Sequence, residues 1–139
     1  MHETILIADD DAGVREILRH TLERAGYVIA EAADGNEALS AVRTMRFDLL
    51  ITDLAMPERD GLELLEVLRY ERWAPKVIAM SGAWDGLCFP AAAKLGALAA
   101  LPKPWRTQAL LDTVRTVLDG HAAFPLAVGE VSWRANGPG

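Results

Sequence analysis

Five times along the chain a short apolar run gives way to a segment whose apolar residues recur at helical spacing. The runs cover residues 4–8, 27–30, 47–52, 76–80 and 98–101. Most are apolar at successive positions rather than at alternate ones, as buried parallel strands are. Between them lie amphipathic patterns. Val14, Ile17, Leu18, Thr21, Leu22 and Ala25 fall on one helical face, with Asp11 placed to cap the helix and Gly26 to end it. Asp34-Gly35 reads as a turn, and Ala38, Leu39 and Val42 share a face of a helix over 37–45. Leu64, Leu65 and Leu68 point inward from a helix over 61–70. A short, weakly patterned helix falls within 87–95, where Pro90 suits a first turn but not an interior. Leu110, Leu111, Val114, Val117 and Leu118 line the last helix, over 106–118. The alternation predicts an α/β fold: a five-stranded parallel sheet, doubly wound as (βα)5, with helices on both faces.

The pattern stops after Gly120. Residues 1–120 are expected to form one domain and residues 121–139, with prolines, glycines and scattered apolar residues, a C-terminal tail. Within that tail, 124–131 is a candidate for an extra strand or a contact with a neighbouring subunit. A chain of 139 residues has room for one core, and a hydrophobic fraction of 51% is enough to build it. The net charge of −6 argues against a nucleic-acid surface. No stretch is long and apolar enough to suggest a membrane span, and the first residues lack a basic signal-peptide region. A single cysteine, Cys88, excludes an internal disulfide and suits a reducing cytoplasm.

The candidate chemistry sits where the apolar runs end. The first stops at Asp9-Asp10-Asp11 and the third at Asp53. In open α/β sheets, ligands gather beyond the carboxyl ends of the strands. If the first and third strands are neighbours, Asp9, Asp10 and Asp53 meet. Carboxylates crowded in this way need a proton or a cation among them. Oxygen-only ligands favour a hard divalent ion, Mg2+ above all. Asp11 is read as a helix cap only. The fourth run ends in Ser81 and the fifth in Lys103-Pro104.

An acidic pair, a lone Asp, a Ser and a Lys at successive strand ends resemble the receiver domain of two-component response regulators, in particular single-domain chemotaxis- or sporulation-type regulators. The motifs are Asp9-Asp10, Asp53 with Met56-Pro57 and Asp60-Gly61, Ser81-Gly82, and Lys103-Pro104, and the resemblance runs over about residues 4–118. It implies a flavodoxin-like receiver fold in a cytoplasmic phosphoprotein. Asp53 would accept a phosphoryl group from a sensor histidine kinase or a histidine phosphotransfer protein, with Ser81 and Lys103 contacting that group. Mg2+ would be held by Asp9, Asp10, Asp53 and the main-chain carbonyl of Ala55. The Lys-Pro bond is typically cis in the family. Output would pass to a partner protein, or to self-association, through the face built by the fourth helix, fifth strand and fifth helix. Such a chain is not an enzyme toward a bulk substrate; it catalyses only its own phosphorylation and dephosphorylation.

Some positions depart from the family pattern. Ala100 stands where many receivers carry a movable aromatic ring. Ala55 and Ala83 stand where polar side chains often orient the attacking water, and neither can hold one. Trp84, three residues past Ser81, lies on the loop expected to close over the phosphoryl group. The region 87–101 is unusually apolar, with Lys94 its only charge. Its outer face is expected to leave Leu or Phe side chains accessible to a partner. Two alternatives remain open: a pseudo-receiver that binds partners without phosphorylation, and a Mg2+-dependent phosphatase working through an aspartyl phosphate. Ala55 speaks against the second, which needs an acid at that position.

Overall fold

The structure, a computed structural model, describes residues 2–56, 59–82 and 89–124. Strands and helices alternate as β1 (Thr4–Ala8), α1 (Ala12–Arg24), β2 (Val28–Ala32), α2 (Gly35–Thr44), β3 (Leu49–Asp53), α3 (Gly61–Leu68), β4 (Lys76–Ser81), α4 (Phe89–Lys94), β5 (Ala99–Pro102) and α5 (Thr107–Leu118). All strand pairs are parallel, in the order β2-β1-β3-β4-β5. The expected five-stranded, doubly wound parallel sheet is present.

Side-chain alternation along the strands builds two cores. Leu6, Ala8, Leu50, Val77, Ala79 and Ala100 face α2, α3 and α4, meeting Leu39, Leu64, Leu65 and Phe89. Ile5, Ile7, Leu49, Ile51, Ile78 and Met80 face the other way, onto Leu18 and Leu22 of α1 and Leu110, Val114 and Val117 of α5. Burial on both faces is why these strands read as apolar runs.

Helix starts are fixed by local chemistry. The Asp11 carboxylate accepts from the N–H groups of Gly13 and Val14, and Gly26 takes φ +100° just beyond α1. The Asp34 carboxylate accepts from the Glu37 N–H, so α2 begins at Gly35 and the expected turn is its first residue. Asp60 and Glu63 form a reciprocal capping box at the start of α3. Pro90 lies in the first turn of α4, which is as short as expected.

Three expectations are corrected. Ile17 is 59% exposed, because α1 turns only a narrow stripe, centred on Leu18 and Leu22, toward the sheet. Tyr70 lies beyond α3 and is 76% exposed. Phe89 is buried among α3 and the sheet, so the outer face of α4 offers Pro90, Ala91, Ala93 and Lys94 rather than an aromatic ring. Leu87 and Cys88 lie outside the described residues.

Beyond α5 the chain turns back along the sheet. Ala123 makes a parallel bridge with Ala99: its N–H donates to the Leu98 carbonyl at 2.7 Å, and its carbonyl accepts from the Ala100 N–H at 3.3 Å. This bridge adds a rung to β5, the edge strand. Most of the candidate strand 124–131 lies outside the described residues. Ending the chain at Gly120 is expected to leave the Ala100 amide without its acceptor. Hydrogen exchange should then quicken at Ala100 while β1 and β3 keep their protection; unchanged exchange at Ala100 would show that the bridge does not form in solution.

Candidate functional site

The strand order reverses at β1. The chain leaves it toward β2 on one side and returns to β3 on the other, which opens a crevice beyond their carboxyl ends. Asp9 follows β1 directly and is fully buried. Its N–H donates to the Ala32 carbonyl, its Oδ1 accepts from the Asp11 N–H at 2.9 Å, and its carbonyl accepts from Arg15 Nη1 at 2.7 Å. Arg15 is in turn paired through Nε with Glu31 at the end of β2. Asp53 is the last residue of β3 and is 6% exposed. Its Oδ1 accepts from the Ala55 N–H at 3.1 Å. Asp10 is exposed at the rim.

The structure brings these three carboxyl groups together. One oxygen from each lies within 4.8 Å of those from the other two. Lys103, just past β5, reaches the same point. Its Nζ donates to Asp9 Oδ2 at 2.8 Å and to Asp53 Oδ2 at 3.0 Å. The Lys103-Pro104 peptide is cis. The Lys103 backbone N–H donates to the Ser81 carbonyl at 2.7 Å, tying the ends of β4 and β5 together. Ser81 is buried, and its Oγ has no hydrogen-bond partner among the described residues.

The electrostatics are unbalanced. Three carboxyl groups are gathered at a point that holds one ammonium, and that ammonium is bonded to Asp9 and Asp53. Burial pushes the Asp53 carboxyl above its ordinary value, with the Asp9 charge adding to the rise; the Ala55 N–H and Lys103 oppose it without cancelling it. Burial alone would lower the Lys103 ammonium, but its hydrogen bonds to Asp9 and Asp53 outweigh that and hold it above its ordinary value. Crowded carboxylate oxygens with excess negative charge suit a hard divalent cation. The set Asp9, Asp10 and Asp53 could therefore hold a metal ion. The unpartnered Ser81 hydroxyl has the chemistry to donate to an anionic oxygen. Leaving such a group unsatisfied costs about 1–3 kcal/mol.

The Asp60-Gly61 motif acquires a steric reason. A Cβ at Gly61 would lie 2.3 Å from the Asp53 carbonyl oxygen and 2.7 Å from Leu54 Cα. Only glycine lets the start of α3 approach the Asp53 backbone so closely. Arg15 and this approach at Gly61 were not legible as parts of the site. An arginine one turn into a helix carries no sequence signal for a bond to a backbone carbonyl in the preceding loop. Ala55 is exposed beside Asp53, and Ala100 is 2% exposed within the core. Pro57, Ala83 and Trp84 lie outside the described residues.

Residues 5–115 match the family model described as the response regulator receiver domain. The chain is 33% identical over 130 residues to the DNA-binding transcriptional regulator NtrC of Azospirillum brasilense, covering 91% of this chain and 27% of that protein. It is 32% identical over 134 residues to the DNA-binding response regulator MtrA of Mycobacterium tuberculosis (strain ATCC 25618 / H37Rv), covering 94% of this chain and 58% of that protein. The chain thus spans less than two thirds of either curated relative. Among solved structures it is similar to the chemotaxis response regulator CheY4 of Vibrio cholerae, with TM-score 0.79, 30% identity, and coverage of 84% of this chain and 99% of that one. A CheY-like response regulator receiver domain protein from Methanospirillum hungatei gives TM-score 0.80 at 30% identity, over 86% and 95% of the two chains.

Without metal, Asp53 and Lys103 should act on stability with opposite signs. The folded state holds the Asp53 proton more tightly than the unfolded chain does. Stability therefore falls as pH rises from the ordinary Asp value of 3.8 through the raised one. Asp53→Asn removes that loss and should raise the thermal midpoint at pH 7 in chelator by a few degrees. The raised Lys103 value means its contribution is present at neutral pH and is lost only as pH climbs through that value. Lys103→Met should therefore lower the midpoint at pH 7, leaving Asp9 and Asp53 uncompensated. Melting curves in which both substitutions moved the midpoint the same way would contradict this electrostatic picture.

Proposed function

The chain belongs to the response regulator receiver family, and on that premise we propose that Asp53 is its phosphoacceptor. The observation that supports this most is the Lys103 ammonium held between Asp9 and Asp53 at 2.8 Å and 3.0 Å. It stands at the strand ends next to Ser81, whose hydroxyl has no partner among the described residues. Residues 1–120 are taken as the receiver unit, with 121–139 appended to it as a tail.

In this reading an Asp53 carboxylate oxygen attacks the phosphorus of a phosphohistidine on a histidine kinase or phosphotransfer protein. The new P–O bond forms as the P–N bond breaks and the imidazole departs with the electron pair, leaving an acyl phosphate. Phosphoryl transfer asks mainly for positioning and for positive charge at the equatorial oxygens. Lys103 offers one cation and the Ser81 hydroxyl one hydrogen bond. Asp9, Asp10, Asp53 and the main-chain carbonyl of Ala55 are the proposed ligands of Mg2+, which when bound supplies further positive charge at the phosphoryl oxygens. The Ala55 N–H, already on Asp53 Oδ1, orients the carboxylate. The molecule works in the cytoplasm, turns over no bulk substrate, and catalyses only its own phosphorylation and dephosphorylation. Output passes to a partner protein or to self-association through the α4-β5-α5 face.

Acetyl phosphate with Mg2+ should give a single phosphoryl adduct on the intact protein by mass spectrometry. Asp53→Asn should abolish it, and Asp10→Ala should abolish Mg2+ binding. An Asp53→Asn protein labelled at the wild-type rate would refute the assignment.

The acyl phosphate should also be long-lived. Ala55 and Ala83 give no side chain to orient water, and such help is worth about a hundredfold or more in rate. Self-dephosphorylation followed by phosphate release should therefore be slow, and Ala55→Asn should accelerate it. A half-life of only seconds in the purified wild-type protein would count against this reading.

A further inference from the structure

The end of the molecule opposite the crevice carries a second concentration of chemistry. Residues 45–48 lead into the start of β3 and residues 69–75 into the start of β4, at the amino ends of the strands. There the Arg46 guanidinium lies 3.6 Å from the centroid of the Trp73 ring, and that of Arg72 lies 5.4 Å from the same ring. Met45, Tyr70 and Trp73 are 58%, 76% and 54% exposed, and they make up three of the five exposed large hydrophobic residues among those described. None of the three belongs to either core, so folding does not require them there.

Two further features make this more than a scatter of surface residues. Arg43 is matched by Glu71 at 3.0 Å and Arg69 by Glu66 at 3.6 Å. Arg46 and Arg72 have no such carboxylate among the described residues, in a chain whose net charge is −6. Stacking on Trp73 restrains both guanidiniums, which lowers the entropy lost when they meet a ligand. Arg69, Ala74 and Pro75, from the same turn that carries Trp73, also wall a groove of about 340 Å³. Its floor includes Leu65, Leu68, Val77 and Leu95, and Arg69 and Lys94 stand among its lining residues. Lys94 too has no carboxylate partner among the described residues.

We propose that this end of the protein docks an acidic, amphipathic segment of a partner protein. Apolar side chains of that segment occupy the groove, while its carboxylates meet Arg46, Arg72 and Lys94. Exposed Trp, Tyr, Met and Arg are the residue types that concentrate binding energy at protein interfaces. The apolar floor selects against a nucleic acid, whose phosphates would leave it unfilled and which the net negative charge repels at long range. A second copy of the chain would have to present a different, acidic surface to this end, a head-to-tail contact that builds rings or filaments rather than the two-fold dimer that is commonest among oligomers. The surface is independent of Asp53, so the fate of the phosphoacceptor reading does not decide it.

The test uses the full chain and a fluorescein-labelled helical peptide with leucines at i, i+3, i+4 and i+7 and glutamates elsewhere. A second peptide carries lysines in place of the glutamates. The glutamate peptide should bind by anisotropy and the lysine peptide should not. Arg46→Glu combined with Arg72→Glu should weaken binding at least about tenfold. Lys94→Glu should weaken it as well. Phosphoryl uptake of these variants should stay at wild-type values, since none of the three residues lies in the crevice or a core, and the protein should still melt cooperatively, with the double variant's midpoint lowered only by the lost contacts with Trp73. The proposal is overturned if the glutamate peptide fails to bind at millimolar concentration, or if the lysine peptide or the charge-reversed protein binds equally well. Tighter binding to heparin or to phosphatidylglycerol vesicles than to the peptide would overturn it in favour of a polyanion or a membrane. Self-association by sedimentation that the double charge reversal abolishes would overturn it in favour of a second copy.

Discussion

One ammonium shared by two buried carboxylates is the constraint around which this chain is arranged. Lys103 can reach Asp9 and Asp53 together only because β1 and β3 are neighbours and β5 ends at the same level two strands away. Each participant is held by its backbone as well as its charge. The Asp9 carbonyl accepts from Arg15, the Asp53 carbonyl accepts from the Thr52 hydroxyl, and the Lys103 N–H donates to the Ser81 carbonyl. The parallel sheet fixes these backbone positions, and its two apolar faces keep the carboxylates in a medium where each charge matters.

That arrangement is left incomplete. Three carboxyl groups face one ammonium, Asp53 is pushed toward its protonated form, and the buried Ser81 hydroxyl lacks a partner among the described residues. Each defect weakens the fold slightly, and each belongs to the same crevice. A divalent cation would answer the excess of negative charge, and a phosphoryl oxygen would answer the hydroxyl. A site whose separate defects are answered by one set of ligands is stabilised when it binds them.

The sequence carried most of this, and the reasons are physical. Strands buried on both faces must be apolar throughout, so the five runs were visible, and their termination at Asp9, Asp53, Ser81 and Lys103 marked the crevice. Helix caps were visible where a side chain makes them, as at Asp11. The exposure of Ile17 was not visible, since helical spacing gives the direction of an apolar stripe but not its width. The burial of Phe89 was hidden too, because a helix as short as α4 has too few residues to define a face. Backbone contacts left no trace at all: Arg15 on the Asp9 carbonyl and the 2.3 Å approach at Gly61 depend on tertiary geometry. The cation–π stack at Trp73 was equally silent, since it joins two loops distant in sequence.

The alanine at position 100 bears on how any change in the crevice could travel. Its side chain is buried and has no rotamers to exchange, so it cannot relay a movement by swinging. Its backbone is better placed. Ser81 is tied to Lys103 through the carbonyl-to-N–H bond, Lys103 lies three residues beyond Ala100 on the same edge of the sheet, and the Ala100 N–H is bound by Ala123. A displacement of the β4 end would reach β5 through main-chain bonds rather than through a side chain at position 100, and Ala123 is bonded to that same strand. In receivers with a ring at this position the signal can be carried by one side chain. Here the strand end and the segment bridged to it are joined by main-chain hydrogen bonds, from Lys103 to Ser81, from Ala123 to Leu98 and from Ala100 to Ala123, and Ala123 and Phe124 also pack against the two cores.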